Sequence, residues 1–141
     1  VAMHNQRDRA YVDLIGDIRA GLRESLAIAD AAGIAPERVI IDPGFGFGWR
    51  VEQNLEMLRR LAELRDLGRP ILVGTSRKST IGRVLDLPVE ERLEGTAATV
   101  ALAIAKGADI VRVHDVKEIA RVVRMSDAVV RGWEPEEMES D

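Results

Sequence analysis

Polar side chains gather in four short stretches of the sequence, and each stretch follows an apolar run. The stretches are residues 3–6, 42–47, 75–79 and 112–115. Together they contain a carboxylate, cations, hydroxyl groups and imidazoles, unlike the runs that precede them. A carboxylate can accept two parallel hydrogen bonds from a planar donor, and cations can hold a phosphate. The four stretches therefore predict one site that binds a flat heterocycle and an anion.

The stretch Asp42-Pro43-Gly44-Phe45-Gly46-Phe47-Gly48 allows two interpretations. Asp-Pro-Gly is a good turn by itself, but a carboxylate at a strand end could instead hold the amino-pyrimidinone edge of a heterocycle. Glycines let the backbone approach a flat group closely. Phe45 and Phe47 could be core residues, as phenylalanines usually are, but their setting among glycines raises the chance of contact with a ligand. The spacing is not the G-x-G-x-x-G of dinucleotide sites, and Gly74–Ser79 lacks a P-loop glycine, so nucleotide binding is weakly supported.

Ser76-Arg77-Lys78-Ser79 precedes a short helix predicted at residues 80–85. A serine at a helix N-terminus is usually an ordinary cap, but the N–H groups there also suit a carboxylate or another anion. Lys78 favours the anion, because a cation at a helix N-terminus is unfavourable to the helix dipole unless an anion lies nearby. We therefore expect an anion site at Lys78 and Ser79.

Arg112 and His114 alternate along the last strand-like run, so both side chains are expected on the same face. On the inner face of a buried strand two potential cations cost free energy unless they meet an anion, and we favour a phosphate or pyrophosphate. Asp115 is predicted to begin the last helix, with Glu118 at capping-box spacing, so its carboxylate should point elsewhere. A metal site of His4 and His114 matches no known spacing, and no metal ligand is predicted.

Four repeats of a strand followed by a helix must position these stretches. The predicted strands are residues 1–3, 39–41, 71–74 and 109–113. The segments between them carry apolar residues at helical spacing. In the first helix these residues are Val12, Ile15, Ile18, Leu22, Leu26 and Ala29. Such alternation predicts an α/β fold with a parallel sheet, either a small open sheet or half of a (β/α)8 TIM barrel, with the chemistry at the C-terminal strand ends.

The composition restricts the class of protein. With 141 residues, 46% of them hydrophobic and 31% charged, the chain is predicted to form one globular domain at residues 1–132, followed by an acidic tail at 133–141. The net charge of -4 gives no reason to expect nucleic acid as a partner. No apolar run is long enough to span a membrane, and the N-terminus lacks a signal-peptide pattern. The absence of cysteine agrees with a cytoplasmic location, which we predict.

Four motifs together indicate a family. Ile41–Gly48, Gly74–Ser79, Arg92–Thr96 and Arg112–Asp115 occur in an order and spacing that resemble dihydropteroate synthase. The resemblance covers essentially the whole chain and implies a (β/α)8 barrel, of which this chain is the C-terminal half from about the fifth strand onward. It also implies the step of folate biosynthesis in which 6-hydroxymethyl-7,8-dihydropterin pyrophosphate condenses with p-aminobenzoate to give 7,8-dihydropteroate and pyrophosphate.

The resemblance implies a role for each predicted site residue. Met3, Asp42 and Lys78 are implied to bind the pterin. Phe47, Lys78 and Ser79 are implied to bind p-aminobenzoate, whose carboxylate sulfonamides mimic.

Arg112 and His114 are implied to bind the departing pyrophosphate and, with Lys78, to be the catalytic residues. Such chemistry breaks the C–O bond before the aniline nitrogen attacks, so it needs a stabilised leaving group and positioning more than a strong base. The resemblance further implies magnesium as a cofactor, with its asparagine ligand in the N-terminal half of the family's barrel, and a homodimer formed through the late helices.

Two alternatives remain open. A pterin-binding methyltransferase domain uses a similar barrel, but it would not need the anion site at Lys78 and Ser79 or the pair Arg112 and His114. Alternatively, the chain is a non-catalytic half-barrel, inactive without an N-terminal half. Its outer strands would then have open edges, which proteins normally cover, so we would expect the isolated chain to self-associate.

Overall fold

The computed structural model describes residues 12–135 of the chain. In this part of the sequence helices predominate, and two short strands lie among them. The α-helices are α1 (Leu14–Ala31), α2 (Val51–Arg59), α3 (Ser79–Leu85), α4 (Leu93–Ala105) and α5 (Val116–Arg131), and the strands are β1 (Leu72–Val73) and β2 (Ile110–Val111). Short 3₁₀ helices lie at Pro36–Arg38, Leu61–Leu67 and Val89–Glu91. The first predicted strand, residues 1–3, lies outside the described residues.

A small parallel sheet forms the centre of the fold. β1 pairs with β2 in parallel, with Leu72 opposite Ile110, and Ile41 forms a parallel bridge to Ile71. The three segments are therefore neighbours in the order in which they follow along the chain, as expected of an α/β fold. They are shorter than predicted, since the run 39–41 contributes one bridge only. Residues 12–135 contain three parallel segments rather than four, so a half-barrel of four units stays a prediction.

The main hydrophobic core lies between the sheet and helices α1 and α2. Its buried members are Leu14, Ile15, Ile18, Ile41, Phe45, Met57, Leu58, Leu61, Leu64, Ile71, Val73, Ala103 and Ala108. Full burial of one such leucine or isoleucine contributes about 1.5–3 kcal/mol. α1 begins after Asp13, whose carboxylate accepts a hydrogen bond from the Gly16 N–H at 3.1 Å and so caps the helix. Val12 precedes this cap and is exposed, so its predicted place on the buried face is wrong.

Helices α4 and α5 pack against each other in a second hydrophobic cluster. Val100, Ile104 and Ile119 are its buried members, and Val111 of β2 packs against them. Two apolar side chains of α5 and the tryptophan just beyond the helix are exposed on one surface, which we call the α5 outer face. Its members are Met125, Val129 and Trp133, which line a shallow groove together with Arg121, Arg124 and Ala128.

The α5 helix ends at Arg131, and Gly132 follows it with a positive φ of 94°. Residues 136–141 of the predicted acidic tail lie outside the described residues. Between residues 12 and 135 no helix is both long and apolar enough to cross a membrane.

Candidate functional site

The glycine-rich loop places its two phenylalanines in opposite environments. Asp42 is exposed just after the bridge between Ile41 and Ile71, and its carboxylate accepts a hydrogen bond from the Gly44 N–H at 2.8 Å. The turn interpretation of Asp-Pro-Gly is therefore confirmed, and the exposed carboxylate is still accessible to a ligand. Phe45 is only 1% exposed and packs in the core, whereas Phe47 is 39% exposed. Of the two alternatives, core packing is thus found for Phe45, because the loop turns between the two rings at Gly46, which has a φ of 79°.

Asn54 of α2 holds the glycine-rich loop in place. The side chain is 1% exposed, and its Oδ1 accepts a hydrogen bond from the Gly46 N–H at 2.7 Å. Its Nδ2 donates to Thr80 Oγ1 at 3.0 Å and to the carbonyl oxygens of Trp49 and Arg50 at 3.3 and 3.1 Å. A buried amide that uses both its oxygen and its nitrogen is satisfied, and its removal would leave these partners unpaired. Asn54 therefore ties the loop to the first turn of α3.

Lys78 crosses this loop and lies at the centre of the site. Its Nζ donates a hydrogen bond to the carbonyl oxygen of Phe45. The same nitrogen lies 4.2 Å from the centroid of the Phe47 ring, which is a cation–π distance. Gly46 lies directly under the Lys78 side chain, and a Cβ at this position would collide with it. The glycine is therefore needed for close approach as well as for the turn.

The pKa of Lys78 depends on its burial and on two charged residues of the site. Burial is the main cause that lowers the pKa of Lys78 below its ordinary value, because the charged form loses hydration. Arg112 lowers this pKa further by repulsion, whereas Asp42 raises it by attraction. The structure thus brings together three predicted site residues that are far apart in the sequence.

The start of α3 differs from an ordinary serine cap. Lys78 is the N-cap residue, its side chain makes no capping hydrogen bond, and Ser79 is the exposed first residue of the helix. The cap explanation for Ser79 is therefore wrong. Ser76 is buried instead, and its Oγ accepts a hydrogen bond from the His114 backbone N–H at 3.1 Å. The same Oγ lies 2.8 Å from Nδ1 of the His114 ring.

Arg112 and His114 lie immediately after β2, close to the loop 74–79. Both side chains are exposed, so their predicted burial is wrong. The reason is that β2 ends at Val111, although the Arg112 N–H still donates to the Val73 carbonyl oxygen at 3.1 Å. The Arg112 guanidinium lies over Gly74, where a Cβ would be 3.4 Å from Nε and Nη2. Two exposed basic side chains beside each other favour the predicted anion.

Arg77 joins these two segments in a conformation that is uncommon for a residue with a side chain. Its φ is 57°, in the left-handed region. Its N–H donates to Thr96 Oγ1 at 3.1 Å, and its carbonyl oxygen accepts from Arg92 Nη1 at 2.8 Å. Its guanidinium donates to both carboxylate oxygens of Asp115, at 3.0 and 2.5 Å. This pairing lowers the pKa of Asp115 below its ordinary value.

Asp115 is the N-cap residue of α5, but its carboxylate makes no capping hydrogen bond. The predicted capping box is therefore wrong. Sequence reasoning also missed the anchoring roles of Asn54, Arg77 and Thr96. The signal for Asn54 was its spacing, because it precedes the apolar Leu58 and Leu61 by four and seven residues and so lies on the same helix face. Thr96 belongs to a motif that supported the family resemblance, but nothing in that motif indicated the structural role of Thr96.

Two predicted or considered residues, Met3 and His4, lie outside the described residues. Among the residues that the structure does describe, no group of three or more histidine, aspartate or glutamate side chains is arranged to hold a metal ion.

Comparison with known proteins gives a consistent result. The family model described as "Pterin binding enzyme" matches residues 1–114. Dihydropteroate synthase of Bacillus subtilis is 53% identical over 130 residues, which are 92% of this chain and 46% of that protein. The synthase of Clostridium beijerinckii is 52% identical over 130 residues, covering 92% of this chain and 48% of that protein. The chain thus spans about half the length of the curated relatives it matches.

Solved structures show the same likeness. A dihydropteroate synthase from Clostridium difficile, crystallised in the presence of pteroic acid, superimposes with a TM-score of 0.86 at 51% identity, covering 91% of this chain and 49% of that one. The Xanthomonas albilineans synthase with 4-aminobenzoic acid gives a TM-score of 0.83 at 36% identity, covering 89% and 46% of the two chains. The resemblance to dihydropteroate synthase is therefore confirmed.

Proposed function

This chain belongs to the pterin binding enzyme family, and we propose that it is the C-terminal half of a dihydropteroate synthase barrel. Its parallel segments follow one another in chain order, and its length is about half that of its relatives, as four of eight strand–helix units would be. The observation that carries the proposal is the position of Lys78. Its ammonium group lies over Phe47 and is influenced by both Asp42 and Arg112.

The ring side of the site consists of Asp42, Phe47, Lys78 and Ser79. Asp42 accepts the paired N–H donors of the dihydropterin, for which a carboxylate at a strand end is well suited. Phe47 and Lys78 line the approach of p-aminobenzoate, and the exposed Ser79 at the start of α3 receives its carboxylate. Relatives crystallised with pteroic acid and with 4-aminobenzoic acid support this choice of ligands.

The anion side consists of Arg112 and His114, and it binds the pyrophosphate group. The bond between the methylene carbon of the dihydropterin and the pyrophosphate oxygen breaks, and its electron pair leaves with the pyrophosphate. Arg112 and His114 stabilise this developing charge, with Lys78 close by. The amine of p-aminobenzoate then attacks the cationic methylene carbon and loses a proton. Both substrates are held in place, so no strong base is needed.

Family resemblance implies magnesium as a cofactor. Its ligand is proposed to lie in the N-terminal half of the complete barrel.

A homodimer in the cytoplasm is the proposed assembly. The α5 outer face supports it, because exposed Met125, Val129 and Trp133 would be removed from water in an interface. Substitution Val129→Asp should then shift the sedimentation equilibrium towards monomer, and an unchanged molecular mass would contradict this assembly.

A non-catalytic half-barrel is the second candidate function. It is favoured by one observation, the coverage of only about half of each relative. A methyltransferase-type domain is less favoured, because it has no need of the exposed pair Arg112 and His114 beside Lys78 and Ser79.

Calorimetric titration with the dihydropterin pyrophosphate and magnesium tests the proposal. The wild-type chain should bind, and Asp42→Asn should weaken binding by about a hundredfold, because the amide replaces one acceptor oxygen by a donor. Asp66→Asn is the matched control, since Asp66 is an exposed carboxylate on the 3₁₀ helix Leu61–Leu67. A sulfonamide should compete with p-aminobenzoate, which a methyltransferase-type site would not show.

If the isolated chain does not bind, the titration is repeated with the N-terminal half of the Bacillus subtilis synthase added. Binding and turnover that appear only then would identify the chain as an incomplete synthase. Failure of both titrations would support the non-catalytic half-barrel and contradict the proposed function.

A further inference from the structure

Three consecutive residues contact both sides of the site. Ser76 binds His114 on the anion side through its hydroxyl group. Lys78 binds the glycine-rich loop on the ring side. Arg77 lies between them, so its backbone conformation determines the directions in which Ser76 and Lys78 point.

We propose that Arg77, through its ion pair with Asp115, is a positioning residue that keeps the ring side and the anion side of the site in register. The identity of the substrates bound on the two sides rests on the proposed function. The coupling between the positions of Lys78 and His114 does not depend on it. The inference therefore deepens the proposed function and can be tested without any ligand.

The backbone of Arg77 shows that its conformation is imposed by its surroundings. A left-handed conformation is unfavourable for residues that carry a Cβ, and it persists only where neighbouring groups over-determine it. Here Thr96, which is 0% exposed, binds the Arg77 N–H, and Arg92 binds the Arg77 carbonyl oxygen. Both partners lie at the start of α4, so α4 supports the peptide on either side of Arg77.

The side chain of Arg77 supplies the link to the other segment. Two parallel hydrogen bonds from a guanidinium to a carboxylate fix orientation as well as distance. Asp115, with 22% of its side chain exposed, directly follows His114, so the pair anchors the anion side to the loop that carries Lys78. Ser76 and His114 form a second link between the same two segments. Two adjacent links prevent rotation of one segment against the other, which one link would allow.

Substitutions at both ends of the ion pair test this role. Arg77→Gly retains access to the left-handed backbone but removes the guanidinium. Asp115→Asn keeps the size of the partner and removes its charge. Arg23→Gln is the matched control, because Arg23 forms an exposed ion pair with Asp66 on the surface of α1. Each variant is first compared with the wild type by thermal unfolding, and all spectra are recorded well below the transition.

The sequence contains natural reporters on each side. Lys78 is one of three lysines, with Lys106 and Lys117, so its side-chain methylene signal can be assigned by NMR spectroscopy with a Lys78→Arg reference. The His114 amide proton, which is bound by Ser76, reports the anion side through its hydrogen exchange rate.

Arg77→Gly and Asp115→Asn should each affect both reporters. We expect the His114 amide to exchange about tenfold faster or more, as for loss of a hydrogen bond to a charged group. We also expect the Lys78 signal to shift towards those of Lys106 and Lys117, including in Asp115→Asn, where the change lies on the other segment. A residue that only stabilises the fold would lower the melting temperature without moving Lys78 in the folded protein.

The positioning role is overturned if Asp115→Asn leaves Lys78 unchanged, or if Arg77→Gly leaves both reporters at their wild-type values. The latter result would mean that only the backbone conformation matters. Titration with inorganic pyrophosphate gives a separate result, because both variants should bind it about tenfold more weakly than the control. Absence of binding to the wild type would count against the proposed function, while the two reporters would still decide the role of Arg77.

Discussion

The ring side and the anion side of the site are held by different kinds of interaction. On the ring side, a buried neutral amide, Asn54, binds the glycine-rich loop and α3. On the anion side, a partly exposed ion pair between Arg77 and Asp115 holds the segment of His114. Buried hydrogen bonds depend little on salt, whereas exposed charges are screened. The ring side should therefore resist changes of solvent that loosen the anion side.

Removal of Asn54 should have the largest effect. Asn54→Ala leaves the Gly46 N–H and Thr80 hydroxyl without their buried partner, and we expect a loss of about 2–4 kcal/mol in the free energy of unfolding. Urea denaturation measures this loss in the free energy of unfolding. Asn54→Asp retains an acceptor for Gly46, but it buries a carboxylate against the carbonyl oxygens of Trp49 and Arg50, so it should destabilise the fold at least as much as alanine. A loss below about 1 kcal/mol for alanine would show that the ring side is not held in this way.

Substitution of Gly46 should have the next largest effect. In Gly46→Ala the new methyl group meets the Lys78 side chain, and the residue must keep a positive φ of 79°. We expect a loss of about 1–3 kcal/mol in the free energy of unfolding. The displaced lysine becomes more hydrated, so its pKa should rise, as measured by NMR titration.

Gly21→Ala is the control for that substitution. Gly21 lies within α1, and a Cβ there would meet no heavy atom within 4 Å. Alanine should stabilise this helix by about 0.5–1 kcal/mol. Equal destabilisation at both glycines would contradict a specific role for Gly46.

Alkaline pH should stabilise the ring side to a smaller extent. The folded-state pKa of Lys78 lies below the 10.5 of an unperturbed lysine, so the unfolded chain binds more protons between these two values. The free energy of unfolding should therefore rise with pH across this window. Denaturation of the wild type and Lys78→Met at about pH 8 and about pH 11 isolates this contribution. The free energy of unfolding should rise less with pH in Lys78→Met than in the wild type. An equal rise in both proteins would refute the contribution of Lys78.

Acid and salt should have the smallest effect on stability, and they act on the anion side. The folded-state pKa of Asp115 lies below its ordinary 3.8, so the pair with Arg77 stabilises the fold above this value. This contribution is lost as the pH falls through the folded-state pKa, and salt at about 1 M screens it. Comparison of the wild type with Asp115→Asn by thermal unfolding should show a difference that shrinks under both conditions. A difference that is unaffected by salt would contradict the contrast between the two sides.

Much of the site could be predicted because its residues follow strand ends. The parallel arrangement brings Asp42, Lys78 and Arg112 together, as the alternation of strands and helices indicated. The surroundings of individual side chains could not be predicted in the same way. Phe45 and Phe47 have the same neighbours in the sequence, yet the turn at Gly46 sends one ring into the core and the other outwards.

Long-range partners were the other limit of sequence reasoning. Asp115 has the spacing of a helix cap, but the guanidinium of Arg77, 38 residues earlier in the chain, binds its carboxylate instead. A charged donor forms a stronger hydrogen bond than a neutral backbone N–H. The spacing of residues in the sequence indicates only the possible helix cap. The competing partner, Arg77, can be identified only once the fold is known.

The order of the parallel segments has a consequence for synthesis on the ribosome. Ile41 pairs with Ile71, which directly precedes β1, and β1 pairs with β2, so each segment docks beside the one made just before it. A nascent chain leaves the ribosome with its N-terminus first. Each new strand can therefore pair with the free edge of the strand made before it. Within the described residues, β2 is the last strand to emerge and has a partner on one side only. Vulnerability to aggregation should thus move along the growing chain and reach Ile110 and Val111, where it lasts until a further strand covers the free edge of β2.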